Sequence, residues 1–128
     1  MLAMVPASWG EVIDKITILE IKNERLSSAD KLRNVRHELA LLADIRDKTF
    51  PDHGKLRELS QQLKAINEKL WLIEDEIREY ERNKDFGSRF TELARLVYKT
   101  NDDRSVIKRE INQLLGSELI EEKSYAPY

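Results

Sequence analysis

Leu56, Leu59, Leu63, Ile66, Leu70, Ile73, Ile77 and Tyr80 stand alternately three and four residues apart through the middle of the chain. A strand repeats every two residues, so this is a helical stripe, and its period is that of helices packing along a seam at a shallow angle. A helix from 55 to 83 would be about 42 Å long at a rise of about 1.5 Å per residue.

Lys84-Asp85-Phe86-Gly87 then turns the chain, with Ser88 placed to cap the next helix. Phe90, Leu93 and Val97 start a second series of the same spacing, which runs into the polar stretch KTNDDR. Continued through that stretch, the series marks 100, 104, 107, 111 and 114, and Ile107, Ile111 and Leu114 fall on the last three. The register survives the break, whereas a loop would usually shift it. The better reading is one helix from Ser88 to Leu115, ended by Gly116. The alternative is a new helix capped by Asn101 or Asp102. The long segments, 55–83 and 88–115, predict an antiparallel, coiled-coil-like hairpin whose paired residue numbers sum to about 170. That register sets Thr100 near Leu70 and Trp71, and Arg104 near Ile66 and Asn67.

Ser8 and Glu11 have capping-box spacing and open a helix from Trp9 to about Leu26. Trp9, Val12, Ile13, Ile16 and Leu19 share its apolar face, and Glu20 falls inside that face. Ile18 and Ile21 form a smaller stripe opposite. A helix apolar on two sides is either central in its bundle or used in a homodimer. Ser27, Ser28 and Asp30 read as the start of another helix, running to about Lys48, and Phe50-Pro51-Asp52-His53-Gly54 is turn chemistry. The expected fold is an all-α bundle of about four helices in one domain, 1–117. The tail 118–128, containing EEKSYAPY, is too short and proline-interrupted for another packed helix, so it either straps onto the surface or stays mobile.

Composition narrows the chemistry. The 22 basic and 24 acidic side chains nearly cancel, giving no electrostatic reason to bind nucleic acid or an anionic membrane. Lys31, Arg33 and Arg36 are diluted by acidic neighbours. With no cysteine, a thiol nucleophile, a disulfide scaffold and Cys-ligated zinc are excluded. Neither His37 nor His53 follows a glutamate at the spacing a di-iron bundle needs, and the four isolated glycines build no phosphate loop. Glu76 and Glu79 match half of the carboxylate pattern of all-helical nucleotide pyrophosphohydrolases, but the second half is missing after residue 80. No metal or cofactor is called for. The opening MLAMVPASW is apolar but short and lacks a basic leader, so neither a signal peptide nor a membrane span is expected, and a cytoplasmic protein is.

The polar marks define the candidate site. Glu20, Asn67, Trp71, Thr100, Asn101 and Arg104 would line a pocket between helices, with Tyr98, Lys99, Asp102 and Lys108 at its rim. Arg104 would clamp a carboxylate or phosphate, Trp71 would stack a ring, and Glu20 would act as a base if burial raised its pKa. The structural reading, which outweighs it, is that Glu20 and Arg104 form a buried pair that sets helix register, hydrogen-bonded by Asn67 and Thr100. Lys99, Asp102 and Asp103 would then face solvent, and Trp9 and Trp71 would belong to the core.

Four blocks, SWGEVIDKITILEIK, LWLIEDEIREYE, FTELARLVYKTNDDRSVIKREIN and EEKSYAPY, together resemble a family of small bacterial proteins known only as a domain of unknown function. The resemblance spans nearly the whole chain and matches least over residues 45–60. It implies a standalone helical domain, with relatives beside or fused to surface-polysaccharide biosynthesis proteins. A shorter stretch, IDKITILEIKNERL, is similar to the first helix of all-helical chorismate mutases, although Glu11 and Val12 stand where those enzymes carry an arginine. Near-neutral charge, absent motifs and heptad regularity favour a non-catalytic interaction module with a protein partner, a homodimer being the second option. The alternative is a protein or enzyme binding an anionic metabolite such as a nucleotide or nucleotide sugar.

Overall fold

A computed structural model describes all residues, 1–128. It contains four helices and no strand: α1 (Trp9–Arg25), α2 (Ala29–Thr49), α3 (Gly54–Arg82) and α4 (Ser88–Leu114). KTNDDR lies inside α4, so the polar stretch is carried by one continuous helix. Every member of the stripe from Leu56 to Tyr80 is buried or half-buried. On α4 the same holds from Phe90 to Ile111, including Thr100 and Arg104. The series fails only at its end, where Leu114 is exposed and Leu115 packs on the core instead.

α1 is the centre of the bundle, packing on α2, α3 and α4, while α2 makes its helix contacts with α1 alone. One face of α1 supplies Ile13 and Ile16 to a core with Leu56, Leu59, Leu63 and Ile111. A second face, Gly10, Asp14, Thr17 and Ile21, is also buried. The two-sided character of α1 therefore has its explanation within one chain. α2 buries only Val35 fully and leans Leu39 and Leu42 on the core. Phe50 closes the α2–α3 turn against Trp9, ring centroids 4.9 Å apart.

α4 runs antiparallel to α1: Gly10 meets Asn112, Glu11 meets Lys108 and Asp14 meets Arg104. The first backbone N–H groups of a helix have no intrahelical acceptor. Here the end of α4 supplies two of them. Trp9 N–H donates to Ser117 Oγ at 3.2 Å and Gly10 N–H to Asn112 Oδ1 at 2.6 Å. Ser8 Oγ accepts from Glu11 N–H, as its spacing predicts. The reciprocal half of the capping box does not form, because the Glu11 carboxylate is drawn to the Lys108 ammonium. Gly10 is required by closeness: a Cβ there would lie 2.6 Å from the Lys108 carbonyl oxygen, which is backbone and cannot swing away.

Ser28 caps α2, accepting from Lys31 N–H. Ser88 does not cap α4. It lies within the first turn, and Gly87 holds the cap position with no side-chain bond. α4 ends as expected at Gly116, whose φ of +62° is the left-handed conformation. Ser117 N–H donates to Asn112 C=O and Gly116 N–H to Gln113 C=O, the paired bonds of a Schellman ending. From there the tail turns back along α4. Glu121 reaches Lys108, Glu122 reaches Arg109, and Tyr128 stacks edge-on against Tyr98 with centroids 5.3 Å apart. The tail is a strap on α4, without helix of its own.

Candidate functional site

The group facing Arg104 is Asp14, not Glu20. Arg104 Nε donates to Asp14 Oδ1 at 2.9 Å, and its Nη2 donates to Oδ2, a bidentate fork on one carboxylate. Asn67, on α3, donates through Nδ2 to the same Oδ1 at 2.9 Å and to Thr17 Oγ1 at 2.9 Å. Thr17 in turn donates to the Asp14 carbonyl. One carboxylate thus ties α1 to both arms of the hairpin. The register that sets Asn67 opposite Arg104 holds, since the two share an acceptor oxygen. Asp14 is only 3% exposed and the Arg104 side chain 26%, so the pair is buried at one end and wet at the other. The hydrogen bonds to Asp14 hold the Arg104 guanidinium above its ordinary pKa, against the opposing effect of burial.

One turn further along α4, Lys108 binds Glu11 at 2.5 Å and Glu121 at 2.9 Å. Burial alone would lower its ammonium pKa, but the bonds to Glu11 and Glu121 outweigh it and leave the pKa raised. Lys108 is therefore a buried strut joining α1, α4 and the tail, not a rim residue. Thr100 is 2% exposed, and its hydroxyl has no hydrogen-bond partner. It does not join the Asn67 network.

The remaining candidates divide between two grooves. Trp71, Asn67, Asn101 and Arg104 line an open groove of about 420 Å³ with Ile18 and Leu70. Trp71 is half-buried on its wall, not a core residue, and Trp9 is likewise half-buried at the edge of the core. Tyr98 and Asp102 instead face the tail, where they line a separate space of about 540 Å³ with Lys123 and Tyr128. Asp102 is half-buried, and its carboxylate near the Tyr128 hydroxyl raises that phenol's pKa. Lys99 is also half-buried, and of the three residues expected to face solvent only Asp103 does so fully.

Glu20 lies elsewhere. It projects into a basin of about 290 Å³ between α1, the end of α2 and the start of α3, beside Arg46 and Lys64. Burial raises its carboxyl pKa, against the opposing charges of Lys64 and Arg46. Three or more histidine, aspartate or glutamate side chains grouped to hold a metal ion do not occur. No helix is long and apolar enough to cross a membrane.

Gly10, Asp14, Thr17 and Asn112 are the residues that the periodicity of apolar side chains misses. For the three on α1 the signal is the spacing of Gly10, Asp14, Thr17 and Ile21, which repeats four, three, four. That is a seam period written mostly in small and polar residues.

A family model covering residues 3–127 matches the chain, and it describes a family of unknown function, DUF6165. The chain belongs to DUF6165. The match spans all four helices and the tail, as the four sequence blocks imply. No curated protein and no solved structure matches this DUF6165 chain. The short likeness to chorismate mutases gains no support, and its aspartate, Asp14, is already held by Arg104 and Asn67.

Proposed function

We propose that this DUF6165 chain is a helical interaction module, acting by docking a protein partner. The supporting observation is its surface. The chain exposes 8872 Å². A compact monomer of its mass, 15.0 kDa, would expose about 7,000 Å². The difference exceeds the roughly 800 Å² that each partner contributes to a standard interface. Part of it is apolar: Met1, Leu2, Met4 and Val5 ahead of α1, and Leu41 and Ile45 one turn apart on α2, all stand exposed. The central helix is enclosed, and the open side of α2 with the leading segment is the surface assigned to the partner. The surface-polysaccharide setting implied by the family resemblance, in a bacterial cytoplasm, is the context in which that partner is sought.

The test is quantitative co-purification from cells that make the protein natively, comparing the natural chain with a Leu2→Ser/Met4→Ser/Leu41→Gln/Ile45→Gln variant. A partner that is lost from the variant, with the melting temperature unchanged, supports docking. A natural chain that recovers as a monomer with nothing bound defeats it.

The alternative, a small ligand in the Trp71 groove, rests on the half-buried indole beside Asn101 and the wet edge of Arg104. It is the weaker reading because Asp14 already occupies the fork that would clamp an anion.

A further inference from the structure

Glu20 takes part in none of the molecule's ion pairs, although two cations stand close to it. Each basic side chain of its basin is tied to another carboxylate instead: Arg46 to Asp47, also in the lining, at 2.8 Å, Lys64 to Glu24, and Arg57 to Asp52 at 3.6 Å. Asp47, Glu24 and Asp52 are more than half exposed. Pairs with such wet partners contribute no more than about 1 kcal/mol, so a better anion can displace them. The basin thus gathers three exchangeable cations from two helices around two carboxylates, Asp47, which is spent on Arg46, and Glu20, which pairs with none of them.

The rest of the lining is suited to a polar molecule with a short carbon skeleton. Ser60 and Gln61 add hydrogen-bonding groups along α3, and Phe50, Pro51 and Leu56 supply apolar surface. His53 accepts from Leu56 N–H through Nδ1, which fixes its ring proton on Nε2. A bare anion would meet Glu20 as a like charge. A ligand carrying an anionic group at one end and hydroxyl donors at the other satisfies both sets of groups. Three cations match a dianionic phosphate better than a single carboxylate.

We propose that the basin between α1, α2 and α3 binds a small phosphorylated polyol, with Arg46, Arg57 and Lys64 on the phosphate and Glu20 accepting from its hydroxyls. The burial that raises the Glu20 pKa fits a carboxylate awaiting hydrogen-bond donors. This site is separate from the exposed apolar surfaces on which the docking reading rests, so either can fail without the other.

Isothermal titration of the full chain with glycerol 3-phosphate, glycerate, inorganic phosphate and glycerol tests it. The expected order is glycerol 3-phosphate at least tenfold tighter than inorganic phosphate or glycerate, with no binding of glycerol. Arg57→Ala, at an exposed position that leaves the helices intact by circular dichroism, should weaken the ester about tenfold, the size of one charge-assisted hydrogen bond. Glu20→Gln should abolish the preference for ester over inorganic phosphate while inorganic phosphate still binds. No binding of the ester at millimolar concentration overturns the proposal. So does equal binding of ester and inorganic phosphate, which would mean a nonspecific anion effect, or an Arg57→Ala affinity equal to that of the natural chain.

Discussion

Asp14 and Arg104, ninety positions apart in sequence, form a two-pronged pair that fastens the central helix to the second arm of the hairpin. Asn67 completes it from the first arm. A buried charge left without its partner is strongly destabilising, typically by about 3–5 kcal/mol. Arg104→Met leaves the Asp14 carboxylate, 3% exposed, without its cation and held by Asn67 alone, and should cost about 3 kcal/mol. Asp14→Asn keeps the acceptor oxygen and leaves the cation partly wet, so about 2 kcal/mol is expected. In the double variant neither charge is stranded, and the losses should fall short of their sum by at least about 1 kcal/mol. Urea unfolding of the four proteins measures this, and strict additivity would show that the pair does not set register.

Gly10 carries the second constraint at the same crossing. Adding one methyl group sets a carbon 2.6 Å from the Lys108 carbonyl and 2.9 Å from Asn112 Oδ1. Alanine is the better helix former, so propensity alone predicts a gain of about 1 kcal/mol. Overpacking against backbone costs about 1–3 kcal/mol and breaks the Gly10–Asn112 bond as the helices part. Gly10→Ala should therefore lower the unfolding free energy by about 2 kcal/mol. A stabilised Gly10→Ala protein would mean that α1 and α4 stand further apart than these contacts require.

The longest helix is legible in the sequence because its apolar stripe, Leu56 to Tyr80, repeats without error, and the N-terminal ends of α1 and α2 are marked by their capping serines. The α4 register can be followed through KTNDDR because Ile107 and Ile111 resume on the expected marks, which is why Asn67 and Arg104 can be placed opposite each other. The partner of Arg104 is not legible by the same rule. Asp14 is one residue, about 100° of rotation, from Ile13, and so lies off the apolar face that identifies the buried side of a surface helix. A helix with neighbours on two sides buries a second face, and polar residues there are held by hydrogen bonds that hydrophobicity does not register. Glu20 misleads for the complementary reason. Its position within the apolar face implies burial, but that face ends at the basin, where the carboxylate meets solvent and cations.

Glu20 should make stability depend on pH in the unusual direction. Burial raises its pKa above the ordinary carboxylate value of 4.5. The folded chain therefore holds this proton more tightly than the unfolded chain, and the contribution of Glu20 becomes unfavourable as pH rises through the raised value. Below 4.5 both states are protonated and the effect vanishes. Glu20→Gln should raise the melting temperature at pH 7 and leave it unchanged at pH 4. A gain that persists at pH 4 would trace to something other than the charge.

The tail strap is electrostatic along most of its length, and this gives it a salt signature. Glu121 on Lys108, Glu122 on Arg109 and Lys123 near Asp102 are the links, with the Tyr98–Tyr128 contact at the end. Truncation after Ser117 keeps the caps on Trp9 and at the end of α4 while removing all of them. Lys108 then retains Glu11 alone, and the loss should be about 1 kcal/mol, the scale of partly exposed ion pairs. Screening at 1 M salt, where the Debye length falls to about 3 Å, should remove most of the difference between the full and truncated chains. If melting curves in high salt keep the two chains as far apart as in low salt, the strap is held by its tyrosine and other apolar contacts, and Lys108 is satisfied by Glu11 without it.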